Sequence, residues 1–227
     1  MAKKYNKTVV IRRVVDTFFV LVFIGLIAAG KIQLWFALFA VGLLVAAVAG
    51  RFYCGWLCPM HALMRPIDYV HKKLSGKKGR SIAGKTGRTS PPRFLSGPVV
   101  RYVFLVLFLA AAVSQKVLGF QAPVLPILTG LALVLVVFIE EQWWHSRVCP
   151  FGTVLEAASG KAKFGMTIDP EKCTGCGVCE KACPAEAIYP ISEERKAARR
   201  IKNSQCLTCF ACAKACPFDA IHYGAVR

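Results

Sequence analysis

The first two thirds of the chain contain four long stretches in which almost every position is apolar. They cover residues 14–29, 32–49, 99–118 and 124–144. A membrane-spanning helix needs about 20 predominantly apolar residues, a length that the last two stretches reach. The first two are a little shorter and are separated only by Gly30 and Lys31. The pattern therefore predicts four transmembrane helices arranged as two pairs.

Two other interpretations of the first pair are open at this stage. The stretch 14–29 follows a basic segment and ends in small residues, as the apolar region of a signal peptide does. A second apolar stretch begins immediately after it, which argues against cleavage at that point. The pair could also form a single hydrophobic hairpin that does not fully cross the bilayer, although four spans agree better with the whole pattern.

Charge gives these helices an orientation. The chain carries 30 Lys and Arg residues against 12 Asp and Glu, and basic residues crowd the N-terminus and a connecting loop at 72–98. Cytoplasmic loops carry such an excess, so the pattern predicts a multi-pass protein of the cell membrane with both termini in the cytoplasm. The charge also suits anionic lipid as a partner. Nucleic acid is not expected, because aromatic residues do not accompany the basic clusters.

Two cysteine runs near the C-terminus share the spacing C-x2-C-x2-C-x3-C-P. This spacing is typical of two-cluster bacterial ferredoxins, in which the fourth cysteine of each run ligates the other cluster. The predicted ligands of the first [4Fe–4S] cluster are Cys173, Cys176, Cys179 and Cys216. The predicted ligands of the second cluster are Cys206, Cys209, Cys212 and Cys183. Zinc is the alternative, but a zinc site gives no reason for two interleaved runs that each end in proline.

A similar short segment follows each pair of apolar stretches, which indicates an internal repeat. The first contains Cys54-x3-Cys58-Pro59 and the second contains His145-x3-Cys149-Pro150; we call these two segments the corners. Residues four apart share a helix face, so the sequence predicts one site built from both corners. Its predicted ligands are Cys54, Cys58, His145 and Cys149. The site could hold a third iron–sulfur cluster or a structural zinc ion, or the side chains could be unligated and packed at helix ends.

These features together resemble the NapH-type family of membrane iron–sulfur proteins. The resemblance depends on the four apolar stretches, the two corners and the double ferredoxin motif, and it covers nearly the whole chain apart from the basic loop. The family includes quinol-oxidising membrane subunits, and related modules occur in regulators of nitrous oxide reductase. The resemblance implies electron transfer with quinone as a possible reaction partner. The family usually has two cysteines in the second corner, where this chain has His145.

The sequence thus predicts an α-helical membrane domain at residues 1–160 and a small α+β ferredoxin domain with two clusters at residues 161–227. The expected function is that of a membrane-anchored electron-transfer subunit of an oxidoreductase complex. It would relay electrons between a cytoplasmic redox partner and quinone or a membrane-embedded partner. The alternatives are a copper reductase or maturation factor and a redox-sensing regulator.

Charge and the lack of further carriers indicate the partners. Residues 161–227 hold eleven basic and seven acidic side chains, which suits an acidic donor such as a ferredoxin or flavodoxin. The apolar stretches contain no evident ligands for a carrier in mid-membrane, so other subunits that carry flavin or haem are expected. Glu140 and Glu141, at the end of the fourth stretch, could accept a proton from quinol.

Overall fold

The computed structural model describes residues 2–75, 97–118, 124–139, 141–192, 194 and 197–226. Most of the basic loop predicted at 72–98 lies outside these residues, and so does Glu140. Within the described residues the chain is mainly helical up to Lys161, and short strands follow from Phe164 onward.

The first repeat forms two long helices and then the first corner. Its helices are α1 (Ala2–Ala28), α2 (Leu34–Ala49), α3 (Phe52–Trp56) and α4 (Pro59–Ser75). Gly50 follows α2 with a φ of +74°, a left-handed conformation that interrupts a helix and that glycine adopts without a steric cost. Pro59 opens α4, because a proline in the first helical turn removes an N–H that would have no partner within the helix.

The second repeat follows the same order. Its elements are α5 (Pro98–Leu118), α6 (Val124–Phe138), α7 (Glu141–Trp143), a π-helical turn (Trp144–Val148) and α8 (Pro150–Ala158). Cys149 is the N-cap of α8, and its Sγ accepts a hydrogen bond from the backbone N–H of Gly152 at 3.4 Å. A proline therefore starts the helix that follows each corner, and the corner cysteine immediately before it lies outside that helix.

The C-terminal part is a small ferredoxin-like region with two antiparallel strand pairs. Strand β1 (Phe164–Ile168) pairs with β4 (Ile221–Ala225), and β2 (Ile188–Pro190) pairs with β3 (Arg199–Ile201). Two short helices, α9 (Val178–Lys181) and α10 (Ala211–Ala215), each lie within one of the cysteine runs. Both runs are therefore enclosed between the first strand and the last.

Aromatic packing holds the two corners against α2. The ring of Phe39 lies 5.3 Å from that of Tyr53 and 4.9 Å from that of Phe151, both in edge-to-face orientation. Tyr53 is next to Cys54 in the first corner, and Phe151 follows Pro150 in the second. The indole N–H of Trp35, also in α2, donates a hydrogen bond to the hydroxyl of Tyr53 at 2.7 Å. The two corners therefore share one buried support.

The structure corrects the prediction of membrane-spanning helices. Among the helices of the described residues, none combines the length and the apolar character needed to cross a bilayer. Helices α2 and α6 have 16 and 15 residues, fewer than the roughly 20 that a span requires. Helix α1 is longer but carries Arg12, Arg13 and Asp16. The prediction of four transmembrane helices, and with it that of a multi-pass membrane protein, is therefore wrong for the residues described.

Many of the chain's apolar side chains lie on the protein surface, on the outer faces of four helices. Large apolar side chains are exposed on α1, α2, α5 and α6, among them Phe18, Leu44, Val106 and Val134. On the inner faces of the same helices, residues such as Phe23 and Val136 are buried in the hydrophobic core. Each of these four helices is thus apolar on more than one side.

Candidate metal centres

One cavity is lined by four cysteines drawn from both runs. Cys173, Cys176 and Cys179 of the first run line it together with Cys216, the last cysteine of the second run. Glycines with a left-handed backbone flank the middle cysteine, with φ of +68° at Gly175 and +72° at Gly177. This conformation lets the loop turn around the cavity, because L side chains rarely adopt it and glycine does so freely.

A second cavity has the complementary set of cysteines. It is lined by Cys206, Cys209 and Cys212 of the second run together with Cys183, the last cysteine of the first run. Thr208 and Phe210 have the left-handed φ values, +52° and +59°, that the glycines have at the equivalent positions of the first run. Such strain in residues with side chains is concentrated at functional sites, which favours this loop as part of one.

Burial keeps two thiols of the second cavity, those of Cys206 and Cys183, from ionising on their own. It raises the pKa of Cys206 to about 12 and that of Cys183 to about 11. A metal deprotonates a thiol that it binds, and the positive charge of iron or zinc offsets the cost of burying the thiolate. Four sulfur donors around one cavity are therefore a donor set that suits an iron–sulfur cluster.

The three corner cysteines lie close to one another, and the guanidinium of Arg51 lies near two of them, Cys54 and Cys149. Arg51 is 1% exposed, and its Nη2 lies 3.8 Å from the Sγ of Cys54. Burial, and then the neighbouring thiols of Cys54 and Cys149, raise the pKa of Cys58. Burial raises the pKa of Cys149 to about 11, while the charge of Arg51 acts in the opposite direction. The structure thus brings together three of the four residues predicted at the corners.

His145, the fourth predicted residue, contacts a different set of side chains. Its Nε2 lies 3.3 Å from Oε1 of Glu141 and 3.3 Å from Nδ1 of His61. His61 Nδ1 in turn lies 3.1 Å from the same oxygen of Glu141. Burial lowers the pKa of His61 to about 4. Burial alone would raise the pKa of Glu141, but its hydrogen bonds with His145 and His61 hold it below the usual range.

Sequence reasoning missed His61 and Arg51 as members of these sites and saw Glu141 only as a proton acceptor. One signal was available for part of the set, because Glu141 and His145 are four residues apart and such residues share a helix face. No comparable signal pointed to His61, which lies in the other repeat. Arg51 is three residues before Cys54. Nothing in the sequence around it distinguishes a buried arginine from one on the surface.

The first corner is packed directly on the second cysteine run. The indole N–H of Trp56 donates a hydrogen bond to the carbonyl of Thr208 at 3.0 Å. The backbone of Gly55 approaches the carbonyl of Leu207 so closely that a Cβ atom on Gly55 would collide with it. In α1, the guanidinium of Arg12 donates a hydrogen bond to the carbonyl of Cys209 at 2.9 Å. The corner cysteines are therefore next to the second cavity rather than the first.

Comparison with protein families finds two that match this chain. A family described as a 4Fe-4S dicluster domain matches residues 165–217, which include both cysteine runs. A family described as a 4Fe-4S binding domain matches residues 32–78 and 121–167, and each of these segments contains one corner. Iron–sulfur cluster binding is thus indicated for both the C-terminal region and the helical repeats.

Several known proteins are similar to this chain. An uncharacterized protein of Methanocaldococcus jannaschii is 31% identical over 147 residues, which are 64% of this chain and 56% of that protein. The ferredoxin-type protein NapH of Haemophilus influenzae is 27% identical, with 64% of this chain and 52% of NapH covered. The methylamine utilization ferredoxin-type protein MauN of Methylorubrum extorquens is 26% identical, with coverage of 70% and 55%. The chain spans about half the length of these relatives.

Proposed function

Because the chain belongs to the NapH-type family of 4Fe–4S ferredoxin-type proteins, we propose that it transfers electrons between two redox partners. The observation that carries the proposal is the pair of cavities, each lined by three cysteines of one run and the last cysteine of the other. When bound, a [4Fe–4S] cluster supplies one-electron transfer. The protein's own residues set where the clusters sit and what lies between them.

Two clusters would be held by the eight cysteines of the C-terminal runs. The first would bind Cys173, Cys176, Cys179 and Cys216, and the second would bind Cys206, Cys209, Cys212 and Cys183. Backbone N–H groups point at sulfurs of the second set: Thr208 N–H lies 3.4 Å from Cys206 Sγ, and Ala187 N–H lies 3.3 Å from Cys183 Sγ. Hydrogen bonds to ligating sulfurs stabilise negative charge, so they favour the reduced state.

We further propose that Cys54, Cys58 and Cys149 hold a third [4Fe–4S] cluster, in which these thiolates would bind three irons and the fourth iron would take a ligand other than cysteine. Among the described residues, the metal-ligating atoms found within 4.8 Å of one another in a group of three belong to His61, Glu141 and His145. The corner sulfurs do not form such a group, which favours a cluster over a single zinc ion, since zinc holds its thiolates at about 2.3 Å. The direct contact between the first corner and the second cysteine run would make this site the next step of the relay.

The partners follow from charge and family. The excess of basic residues over 161–227 favours an acidic electron donor, such as a reduced ferredoxin or a flavodoxin. NapH and MauN are named as ferredoxin-type proteins, and MauN as one of methylamine utilization. By analogy we propose that this chain works with further redox subunits that carry flavin or haem, and that a quinone is one acceptor.

Stopped-flow reduction of the anaerobically purified whole chain tests the proposal. Reduced ferredoxin should bleach the cluster absorbance rapidly, and added salt should slow the reaction, because complementary charges steer the encounter. A water-soluble quinone analogue added afterwards should restore the absorbance over repeated cycles. If the clusters are reduced but no acceptor reoxidises them faster than buffer alone, the chain stores or senses electrons and does not relay them.

A further inference from the structure

Three buried side chains from the two repeats meet at one point beside the corners. His61 is in the first turn of α4, whereas Glu141 and His145 are in the α7 segment and the π-helical turn of the other repeat. All three are at most 5% exposed. Their facing atoms are Nδ1 of His61, Oε1 of Glu141 and Nε2 of His145, and the three separations are 3.1, 3.3 and 3.3 Å.

These separations match those between the ligands of a tetrahedral metal ion. With metal–ligand distances of about 2.0–2.1 Å, as for zinc bound by nitrogen and oxygen, neighbouring ligand atoms lie about 3.3–3.4 Å apart. The three atoms form a nearly equilateral triangle of this size. One ion could therefore contact all three, and the fourth corner of its tetrahedron would be free for water or another ligand.

The charges and hydrogen bonds of the group also suit a cation. Two imidazole nitrogens face a single carboxylate oxygen, and an ionised carboxylate is costly to bury without a positive charge close by. Among the described residues, His61 Nε2 is buried without a hydrogen-bond partner, so the hydrogen bonds of this ring are made through Nδ1. A divalent ion between the three atoms would supply the charge and would join the two repeats.

We propose that His61, Glu141 and His145 form a binding site for a divalent first-row transition metal such as Zn²⁺. Two histidines and one glutamate are a ligand set that zinc uses where it keeps one coordination position open. The site is separate from the clusters and does not depend on the proposed relay. In this proposal His145 binds the divalent ion and is not a ligand at the corner site, whose ligands are then the three corner cysteines.

Zinc binding to the whole chain with its clusters in place tests this site. The anaerobic protein is freed of loosely bound metal, titrated with Zn²⁺ and analysed for zinc and iron, and the zinc environment is read by X-ray absorption. We expect about one tightly bound zinc per chain with nitrogen and oxygen neighbours at about 2.0–2.1 Å, and no sulfur neighbour at about 2.3 Å. This measurement identifies the zinc ligands in the wild-type chain, because X-ray absorption at the zinc edge does not detect the iron of the clusters.

Variants provide the second measurement. Glu141→Gln and His145→Gln should weaken zinc binding at least about tenfold. Even the loss of a residue that only hydrogen-bonds to a metal ligand lowers metal affinity about 10–100-fold. His222→Gln is the matched control, because His222 is an exposed histidine of β4. Iron content reports whether each variant keeps its fold. A sulfur-ligated zinc, a wild-type chain with its full iron that binds no zinc, or unchanged binding in Glu141→Gln would each overturn the proposal.

Discussion

Arg51 and Cys54 form a buried contact at the centre of the candidate relay. Nη2 of Arg51 lies 3.8 Å from the Sγ of Cys54, and Nη1 of the same group donates a hydrogen bond to the carbonyl of Gln205 at 3.3 Å. The positive charge also acts on Cys149 and on Cys206. One guanidinium thus stands between the corner cysteines and the second cavity, where it favours added negative charge on both sides.

Replacing this charge should shift the potentials of the clusters next to Arg51, at the corners and in the second cavity, and leave that of the first cavity unchanged. Arg51→Met removes a cation that stabilises the reduced, more negative state, so we expect the cluster bound by Cys206 to fall in potential by on the order of 50–100 mV. Voltammetry of the intact protein should show this wave moving while the wave of the first cavity stays in place. Arg200→Met is the control, since Arg200 is exposed on β3. Equal shifts of both waves, or none, would show that Arg51 has no local electrostatic role.

The close approach of Gly55 to Leu207 should make this glycine intolerant of a side chain. The Cβ atom of Gly55→Ala would collide with the carbonyl of Leu207, and such overpacking costs about 1–3 kcal/mol. We expect the clusters to be lost from this variant about tenfold faster in denaturant, as followed by visible absorbance. Gly130→Ala is the matched helical control, because a Cβ there meets no atom within 4 Å. Similar rates for the two variants would contradict the tight contact between α3 and the second run.

Each cavity combines three cysteines of one run with the last cysteine of the other, so cysteine variants in different runs should remove the same cluster. Cys216→Ala alters the second run, yet it should eliminate the same cluster as Cys173→Ala, because both residues line the first cavity. Cys183→Ala should in turn match Cys206→Ala. Each variant should retain one intact C-terminal cluster, and the remaining electron paramagnetic resonance signal should be the same within each pair. If Cys216→Ala instead matches Cys206→Ala, each run binds its own cluster.

The corner cysteines should be needed for onward transfer but not for uptake of electrons. Cys58→Ser and Cys149→Ser should each lower the iron content by about four atoms per chain, the content of one cluster. Reduction of the C-terminal clusters by ferredoxin should persist, whereas reoxidation by the quinone analogue should slow at least about tenfold if the corner is the next step. Met60→Leu controls for disturbance of the buried corner, since it preserves volume close to Cys58. Wild-type iron content in both cysteine variants would mean that the corners hold no cluster.

The spacing of the cysteine runs predicts which sulfurs bind the same cluster, and these sulfurs line the two cavities together. The corners were readable only in part, for a physical reason. Helical spacing predicts His145 beside Cys149, but Cys149 has extended backbone at the N-cap of α8, with φ of −61° and ψ of 111°. Its side chain is therefore not held on the helix face that carries His145. The partner of His145 in the first repeat, His61, is brought near only by tertiary packing.

The helix lengths show a similar limit. The apolar stretch at 124–144 reads as one long span, but the helix α6 stops at Phe138, and Trp144 begins a π-helical turn. Glu141 and Trp144, which the pattern places at the end of a span, are instead buried in the protein's interior. A hydropathy pattern counts apolar residues along the chain and does not show where a helix ends within an apolar stretch.

Iron and sulfide analysis of the whole chain, combined with a reductive titration, tests the central claim most directly. The protein must be prepared without oxygen, because exposed clusters are lost by oxidation. The account predicts about twelve irons per chain, of which about eight belong to two [4Fe–4S] clusters that depend on the C-terminal cysteines, and one electron taken up by each cluster. Fewer than about six irons in undamaged protein, or zinc in place of iron at the cysteine runs, would contradict it.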